Sequence, residues 1–319
     1  MGIERLSCLV PRAWLDMALS NGPIRQAVAS CLGAKHVSYL ANKVRGGDSG
    51  RKGTRYEDFF AASKVAELSS AKFAGAAEWP RVQEQVEAFV DDLLIKTASS
   101  TKYFQLKNVQ SIGWTSGDHP LEEDFRAQKV LCDHLQEPSP STTLVISNVN
   151  LLQSLSAVPP SVAAHSSVEF FPYADGHANR LVKEHQPLRA ALKSLSRSAN
   201  VTDDVLEGVF GVLIIGMMKQ NGAEVSVEDV INAARSVSPG FVRLFPDQLV
   251  GFKLDDDFVA VLARINGFVY GTERGFFEWS YFDTSGVSST NCLTREFNNF
   301  QRLVVSANPT TFEELEELL

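Results

Sequence analysis

The sequence predicts an α/β protein in which a mixed sheet with flanking helices is followed by a second, mainly helical domain. Two observations lead to this prediction. Between residues 54 and 147 the pattern runs helix, strand, strand, helix, strand, which is typical of a mixed sheet covered by helices. After about residue 160 most apolar residues recur at helical spacing. We therefore expect an N-terminal helical segment over 1–44, an α/β domain over 45–155 and a helical accessory or docking domain over 160–319.

The composition of the chain limits its class. The chain has 319 residues, which is long enough for two domains, and 44% of them are apolar and 21% charged, as is ordinary for globular proteins. A net charge of −8 argues against a protein that coats nucleic acid non-specifically. The longest apolar stretch, 205–218, contains Glu207 and is too short to span a bilayer, so no membrane association is expected.

The cysteines indicate the compartment. Cys8, Cys31, Cys132 and Cys292 form no C-x-x-C pair and have no histidine at zinc-finger spacing. A disulfide framework and structural zinc are therefore not expected. Because no secretory signal is visible either, we expect a reducing, cytoplasmic location.

The N-terminal segment is expected to be helical up to residue 42 and to lead into a glycine-rich stretch over 46–53. The interval 43–55, which includes this stretch, contains five basic residues and a single acidic residue, Asp48. Such a basic run is consistent with contacts to the DNA backbone, and equally with a solvated loop. The candidate DNA-binding residues are Lys43, Arg45, Arg51, Lys52 and Arg55.

The elements of the α/β domain follow from local patterns. A helix is expected over 54–70, with Thr54 as its N-cap. Residues 81–90 are expected to include the end of a further helix. Strands over 89–95 and 102–107, joined by a turn rich in serine and threonine, are expected to form a hairpin. A helix over 121–135 and a strand over 143–147 complete the domain.

The second domain is expected to contain helices over 177–197, 202–219, 226–236 and 257–265. Ser226 and Asp229 have the spacing of a capping box. An aromatic run over 276–279 has the character of a strand, and 312–319 predicts a short acidic helix at the C-terminal end.

Three polar residues of the predicted hairpin carry the chemistry. Residues two apart in a strand share a face, so Gln105 and Lys107 point one way while Phe104 and Leu106 point the other. Asp92 enters the neighbouring apolar strand. Burying these polar groups is costly unless they have partners, so their position predicts a charged site. The alternative is an exposed hairpin whose lysine and aspartate form a surface ion pair that contributes little to stability.

This set suits phosphodiester hydrolysis. Mg²⁺ or Mn²⁺ takes hard oxygen ligands, polarises a phosphate and lowers the pKa of bound water, while a lysine can orient that water and stabilise developing charge. Glu57, from the preceding helix, is a candidate further ligand. Asp91 competes with Asp92 for the ligand role because strand register is not fixed by sequence.

The segment 50–61, GRKGTRYEDFFA, resembles the opening of the Cap4-like nucleases, a PD-(D/E)xK branch of bacterial double-stranded-DNA endonuclease domains in anti-phage systems. That family continues with an acidic strand, a Q-x-K strand and a helix containing Asp-Phe. This chain has these features in order, the last as Asp124-Phe125. The resemblance covers residues 45–150 and implies a restriction-endonuclease-like sheet.

Carried over position by position, the resemblance implies that Asp92 and Gln105 belong to the metal site and that Lys107 is the catalytic lysine. Glu57 is a weaker match. Gln105 stands where the family usually has an acid, which removes one charge from the metal site.

The chain length is similar to that of the nuclease subunit of Lamassu-type defence complexes, which works with an SMC-like ATPase and a small subunit. This implies a DNA endonuclease with a docking domain over 160–319, and a homo-oligomer is conceivable because cutting both strands often uses paired active sites. Two alternatives stay open: a catalytically inactive nuclease-like scaffold or docking subunit, and a nuclease that acts on RNA.

Overall fold

The computed structural model describes residues 22–49 and 55–319. It divides into two compact units. Within the described residues, the first unit comprises 22–49, 55–57, 80–173 and 222–224, and the second comprises 58–79, 174–221 and 225–319.

The first unit contains helices and five strands. Its helices are α1 (Pro23–Cys31), α2 (Ala34–Ser49), the first turn of α3 (Arg55–Phe73), α4 (Leu121–His134) and the single turn α5 (Leu152–Leu155). Its strands are β1 (Arg81–Glu84), β2 (Leu93–Lys96), β3 (Thr101–Lys107), β4 (Pro140–Ile146) and β5 (Ser166–Phe170).

These five strands form a mixed sheet in the order β5-β4-β3-β2-β1. Strand β2 runs antiparallel to both β1 and β3, whereas β4 runs parallel to β3 and β5 runs parallel to β4. The β2–β3 pairing is a hairpin closed by hydrogen bonds of Thr97 with Ser100. The parallel step from β3 to β4 requires a crossover, and α4 provides it.

One face of this sheet is packed against α4. Leu94, Tyr103, Leu144 and Ile146 lie on that face and join Phe125 of α4 in one buried cluster. A second cluster is formed by α1, α2 and α4 around the fully buried Phe89, which lies just before β2. By strand alternation, Gln105 and Lys107 of β3 lie on this same face.

The second unit combines helices with a three-stranded sheet. Its helices are most of α3, then α6 (Ala178–Glu184), α7 (Gln186–Leu195), α8 (Asp203–Met218), α9 (Val227–Val237), α10 (Asp256–Leu262), α11 (Arg295–Ala307) and α12 (Phe312–Glu316). Its strands are β6 (Val225–Ser226), β7 (Phe268–Glu273), β8 (Phe276–Tyr281) and β9 (Thr284–Asn291), of which β7, β8 and β9 form an antiparallel sheet.

Several predicted elements are confirmed. The structure has the helix after residue 54, the hairpin, the helix from Leu121 and the strand that follows it. The capping box of Ser226 and Asp229 is present at the start of α9. The expectation of an α/β protein with a mixed sheet and flanking helices is thereby confirmed.

Other predictions were wrong. The end of a helix expected over 81–90 is instead strand β1, followed by irregular backbone up to Asp92, so β2 begins later than expected. Strand β5 was missed. The helix expected over 177–197 is two helices, because His185 adopts an extended conformation and Pro187 stands in the first turn of α7. The antiparallel sheet of the second unit contains the aromatic run but adds two strands to it.

Among the described residues no helix is long and apolar enough to cross a membrane. The three cysteines in the described part of the chain, Cys31, Cys132 and Cys292, are free thiols.

Candidate catalytic site

The hairpin brings the side chains of Asp92 and Gln105 together just beyond Leu93, the last residue of β2 that is paired with β3 at this end. Leu93 pairs with Phe104, and the backbone N–H of Asp92 donates to the carbonyl of Phe104 at 3.2 Å. The carboxylate of Asp92 accepts two hydrogen bonds through Oδ2, from the backbone N–H of Leu106 at 2.6 Å and from Nε2 of Gln105 at 2.5 Å. Lys107 follows two residues later on the same face, at the end of β3. The structure thus brings together the three residues that the sequence singled out.

The Gln105 side chain is almost completely buried, with 2% of its surface exposed, so both ends of its amide need partners. Nε2 faces the Asp92 carboxylate, and Oε1 accepts from Nζ of Lys43 at 3.2 Å. The opposite orientation would set the amide oxygen against a carboxylate and the amide N–H₂ against an ammonium. The two neighbours therefore fix the orientation of the amide.

Lys43, in α2, has its ammonium surrounded by oxygens of this chain. Nζ lies 3.2 Å from Oδ1 of Asp91 and 3.1 Å from Oδ2 of Asp124, in addition to Oε1 of Gln105. It also donates to the backbone carbonyl of Phe89. This differs from the expectation that Lys43 belongs to a basic DNA-facing patch, because its charge is here directed into the protein.

Asp124, in the first turn of α4, links this ammonium to a neighbouring cavity. Its Oδ2 accepts from the Tyr39 hydroxyl at 3.1 Å as well as from Lys43. Tyr39 stacks on His119 with ring centroids 4.3 Å apart, and both line a cavity of about 320 Å³ between the α1–α2 turn and α4. The role of Asp124 in this cluster was not predicted, since the sequence offered it only as part of an Asp-Phe motif.

The irregular segment before Asp92 is held by Gln128 of α4. Oε1 of this fully buried side chain accepts from the backbone N–H of Phe89 at 2.9 Å and from that of Val90 at 3.2 Å. The backbone of Asp91 is fixed in turn, because its carbonyl accepts from Val86 N–H at 2.7 Å. Helix α4 thus positions Asp91 and Asp92 through backbone contacts.

The electrostatics of the cluster follow from burial and from its mixture of charges. Burial, with the adjacent Asp91, raises the pKa of Asp92 to about 6, against the opposing effect of Lys107. Burial likewise raises the pKa of Asp124, although Lys43 opposes the shift. Burial alone would lower the pKa of Lys43, but Asp91 and Asp124 outweigh it and hold that pKa above its ordinary value. Lys43 is therefore a charged ammonium at neutral pH.

The remaining predicted residues are placed as follows. Glu57, on the first turn of α3, accepts from Nε2 of Gln85 at 2.8 Å, and the Gln85 backbone N–H donates to the carbonyl of Asp92. Glu57 is thus tied to the backbone beside Asp92. Arg55 is exposed at the start of α3. Arg51, Lys52 and Thr54, together with the side chain of Arg45, lie outside the described residues.

The donor set bears on the predicted metal. In the described part of the chain, no group of three His, Cys, Asp or Glu side chains is arranged to hold a metal ion. Mg²⁺ does not need such a group, because it commonly binds through one or two carboxylates together with water and substrate phosphate. Asp92 and the amide oxygen of Gln105 are hard oxygen donors of the required kind, with Asp91 beside them. These residues fit Mg²⁺ or Mn²⁺ in donor chemistry.

Comparison with known proteins gives no relative for this chain. No family model, no curated protein and no solved structure matches it.

Proposed function

We propose that this chain is a metal-dependent DNA endonuclease with Asp92, Gln105 and Lys107 at its active site. The observation that carries the proposal is the hydrogen bond between the Gln105 amide and the Asp92 carboxylate, with Lys107 two residues further along the same face of β3. A carboxylate, an amide oxygen and an ammonium on one sheet face form a constellation suited to phosphodiester hydrolysis.

The topology of the first unit supports a restriction-endonuclease-like fold. An antiparallel group, β1 to β3, is followed by the crossover helix α4 and a strand parallel to β3. In this proposal the acidic residue, Asp92, immediately precedes one hairpin strand and the Q-x-K residues stand in the other. The resemblance of residues 45–150 to Cap4-like nucleases of the PD-(D/E)xK superfamily points to the same class.

Each side chain has a role in this reaction. A divalent cation, when bound, would polarise the scissile phosphate and acidify a water molecule, and Asp92 and Gln105 would hold it. Lys107 would orient the attacking water and stabilise the negative charge that develops on the phosphate oxygens. Leu106 N–H fixes the Asp92 carboxylate. Gln128 fixes the backbone before it.

We further propose that the substrate is double-stranded DNA and that the enzyme acts in an anti-phage or anti-plasmid defence complex. The basis is the resemblance to Cap4-like nucleases and the similarity in length to Lamassu-type nuclease subunits. The protein partners would be an SMC-like ATPase and a small subunit. The second unit would then provide the docking surface.

The rival proposal is an inactive nuclease-like scaffold, and one observation favours it. The amide oxygen of Gln105 is engaged by Lys43, so the residue at the second metal-ligand position is neutral and already has a cationic partner. A scaffold would keep this cluster only for stability and would bind no divalent cation.

Cleavage and metal binding together separate the two proposals. Supercoiled plasmid would be incubated with the purified chain, alone and with the products of neighbouring genes, in the presence of Mg²⁺ or Mn²⁺. Lys107→Ala and Asp92→Ala are the test variants. Lys102→Ala, at an exposed position of the same strand, and Asp133→Ala, on the exposed face of α4, are their matched controls.

A nuclease predicts cutting by the wild type and by both controls, and loss of cutting in both test variants. Cutting that survives both test substitutions would overturn the proposed site. An absence of both cutting and divalent-cation binding, in a chain whose circular dichroism shows it folded, would favour the scaffold.

A further inference from the structure

Lys43 was not expected at this site, and its surroundings resemble those of a bound cation. Its ammonium contacts oxygens from two carboxylates, one side-chain amide and one backbone carbonyl. Hard oxygens of these kinds are also the ligands of divalent cations. The chain thus supplies one of its own cations to the oxygen cluster beside Asp92.

Gln105 connects this ammonium to the proposed metal site. Its single amide oxygen is directed at Lys43, and its N–H₂ group is directed at Asp92. An N–H₂ group is a donor and cannot ligate a cation. For Gln105 and Asp92 to hold a cation jointly, the amide oxygen must turn away from Lys43, and the N–H₂ group would then face the ammonium, donor against donor.

The charges of the cluster also indicate that Lys43 and a divalent cation compete for the Gln105 oxygen. The cluster contains the carboxylates of Asp91, Asp92 and Asp124, and the ammonium groups of Lys43 and Lys107 act on it. A divalent cation placed next to an ammonium that shares the Gln105 oxygen would be strongly repelled in this buried setting. If Lys43 withdrew, the incoming cation would replace the positive charge that Asp91 and Asp124 lose.

We propose that Lys43 is an internal competitor of the divalent cation, and that the Gln105 amide switches between the two. In the metal-free state the ammonium occupies the oxygen cluster and holds the amide oxygen. Binding of the divalent cation at Asp92 rotates the amide and releases Lys43 from the cluster. This inference rests on the proposed metal-dependent function and adds a regulatory step to it.

The first test measures Mn²⁺ binding by isothermal titration and electron paramagnetic resonance, without substrate. Lys43→Met removes the competing charge, whereas Lys43→Arg keeps it. We expect Lys43→Met to bind Mn²⁺ more tightly than the wild type by at least about fivefold, the lower end of typical coupling between competing sites. Lys43→Arg is expected to bind like the wild type. Asp92→Asn should remove the binding in every background.

A double-variant cycle tests the role of the amide. Gln105→Glu replaces it with a carboxylate, which can accept from Lys43 with one oxygen and face the cation with the other. The gain from Lys43→Met should therefore shrink in the Gln105→Glu background. An undiminished gain would overturn the switch at Gln105.

A third measurement needs no substitution, so it remains informative if Lys43→Met does not fold. Lysine acetylation of the wild type is followed by mass spectrometry with and without Mg²⁺ at constant ionic strength. Lys43, with only 18% of its side chain exposed, should react slowly without Mg²⁺ and faster with it. Lys102 is exposed and should react equally in both conditions.

The outcomes distinguish this inference from the function on which it rests. Asp92-dependent Mn²⁺ binding that is equal in wild type and Lys43→Met, with Lys43 equally protected in both conditions, would overturn the competition and leave the metal site standing. An absence of Asp92-dependent binding in every folded variant would overturn the proposed metal-dependent function itself.

Discussion

Gln128 is expected to be a strong determinant of the site although it contacts none of the three proposed catalytic side chains. Its Oε1 is the acceptor for two buried backbone N–H groups, those of Phe89 and Val90. Gln128→Leu has a similar size but offers no acceptor. The segment that leads into Asp91 and Asp92 would therefore lose its two hydrogen bonds to α4.

The expected magnitude follows from the two hydrogen bonds. A buried donor left without a partner costs about 1–3 kcal/mol, so two donors give about 2–6 kcal/mol as an upper range. Entry of water into the gap and the added apolar contact of leucine reduce this, and we expect about 2–3 kcal/mol. Because about 1.4 kcal/mol corresponds to a factor of ten, local opening of residues 86–92 should become roughly 30-fold or more easier.

Hydrogen exchange read by mass spectrometry measures this opening directly in the first unit. That is preferable to a single unfolding midpoint, because a chain of two units need not unfold in one step. The peptide over 86–92 should exchange faster in Gln128→Leu. Gln128→Glu retains acceptor oxygens and should keep most of the protection. The matched control is Gln153→Leu, the same substitution at an exposed position.

Equal protection of residues 86–92 in Gln128→Leu and Gln153→Leu would contradict this expectation, since it would show that the two buried N–H groups are satisfied in another way. The same variant should also lose Asp92-dependent Mn²⁺ binding, because Asp91 and Asp92 directly follow the released segment.

Two further predictions concern stability. Because burial and the neighbouring Asp91 raise the pKa of Asp92 from 3.8 to about 6, with Lys107 and Lys43 opposing the shift, the folded chain retains a proton that the unfolded chain has lost. This contribution to stability is present below about pH 4 and is lost as the pH rises through 6. The difference in urea stability between wild type and Asp92→Asn should therefore change between pH 4 and pH 6. A difference that stays constant over this pH range would contradict the prediction. In α8, Gly216→Ala would place a Cβ 2.7 Å from the carbonyl oxygen of Val230 and should cost about 1–3 kcal/mol, whereas Gly211→Ala meets no described atom within 4 Å and should gain about 0.5–1 kcal/mol from helix propensity. Urea denaturation of the two variants checks the signs, and shifts of the same sign would count against this packing argument.

Local patterns in the sequence predicted many of the elements. The helix from Arg55, the β2–β3 hairpin and the capping box of α9 depend on residues that are near one another in the chain. Their periodicity and caps are therefore visible without knowledge of the tertiary structure. The break between α6 and α7 was also marked by Pro187, a signal that the predicted single helix disregarded.

Strand β1 shows where such patterns fail. Its sequence, RVQE, contains one apolar residue and no alternation that would indicate a strand. It is extended because it pairs with β2, from Arg81 opposite Lys96 to Glu84 opposite Leu93. Pairing between segments that are separated in the chain overrides weak local preference.

From the sequence alone it follows that Gln105 and Lys107 share a strand face, because side chains alternate with a period of two along any strand. Only the folded structure shows that Asp92, and not Asp91, is hydrogen-bonded to Gln105, since register depends on the pairing of whole strands. It also decided that Lys43 and Asp124 join the cluster. They come from two helices, and only the packing of both helices around the sheet brings their charges together.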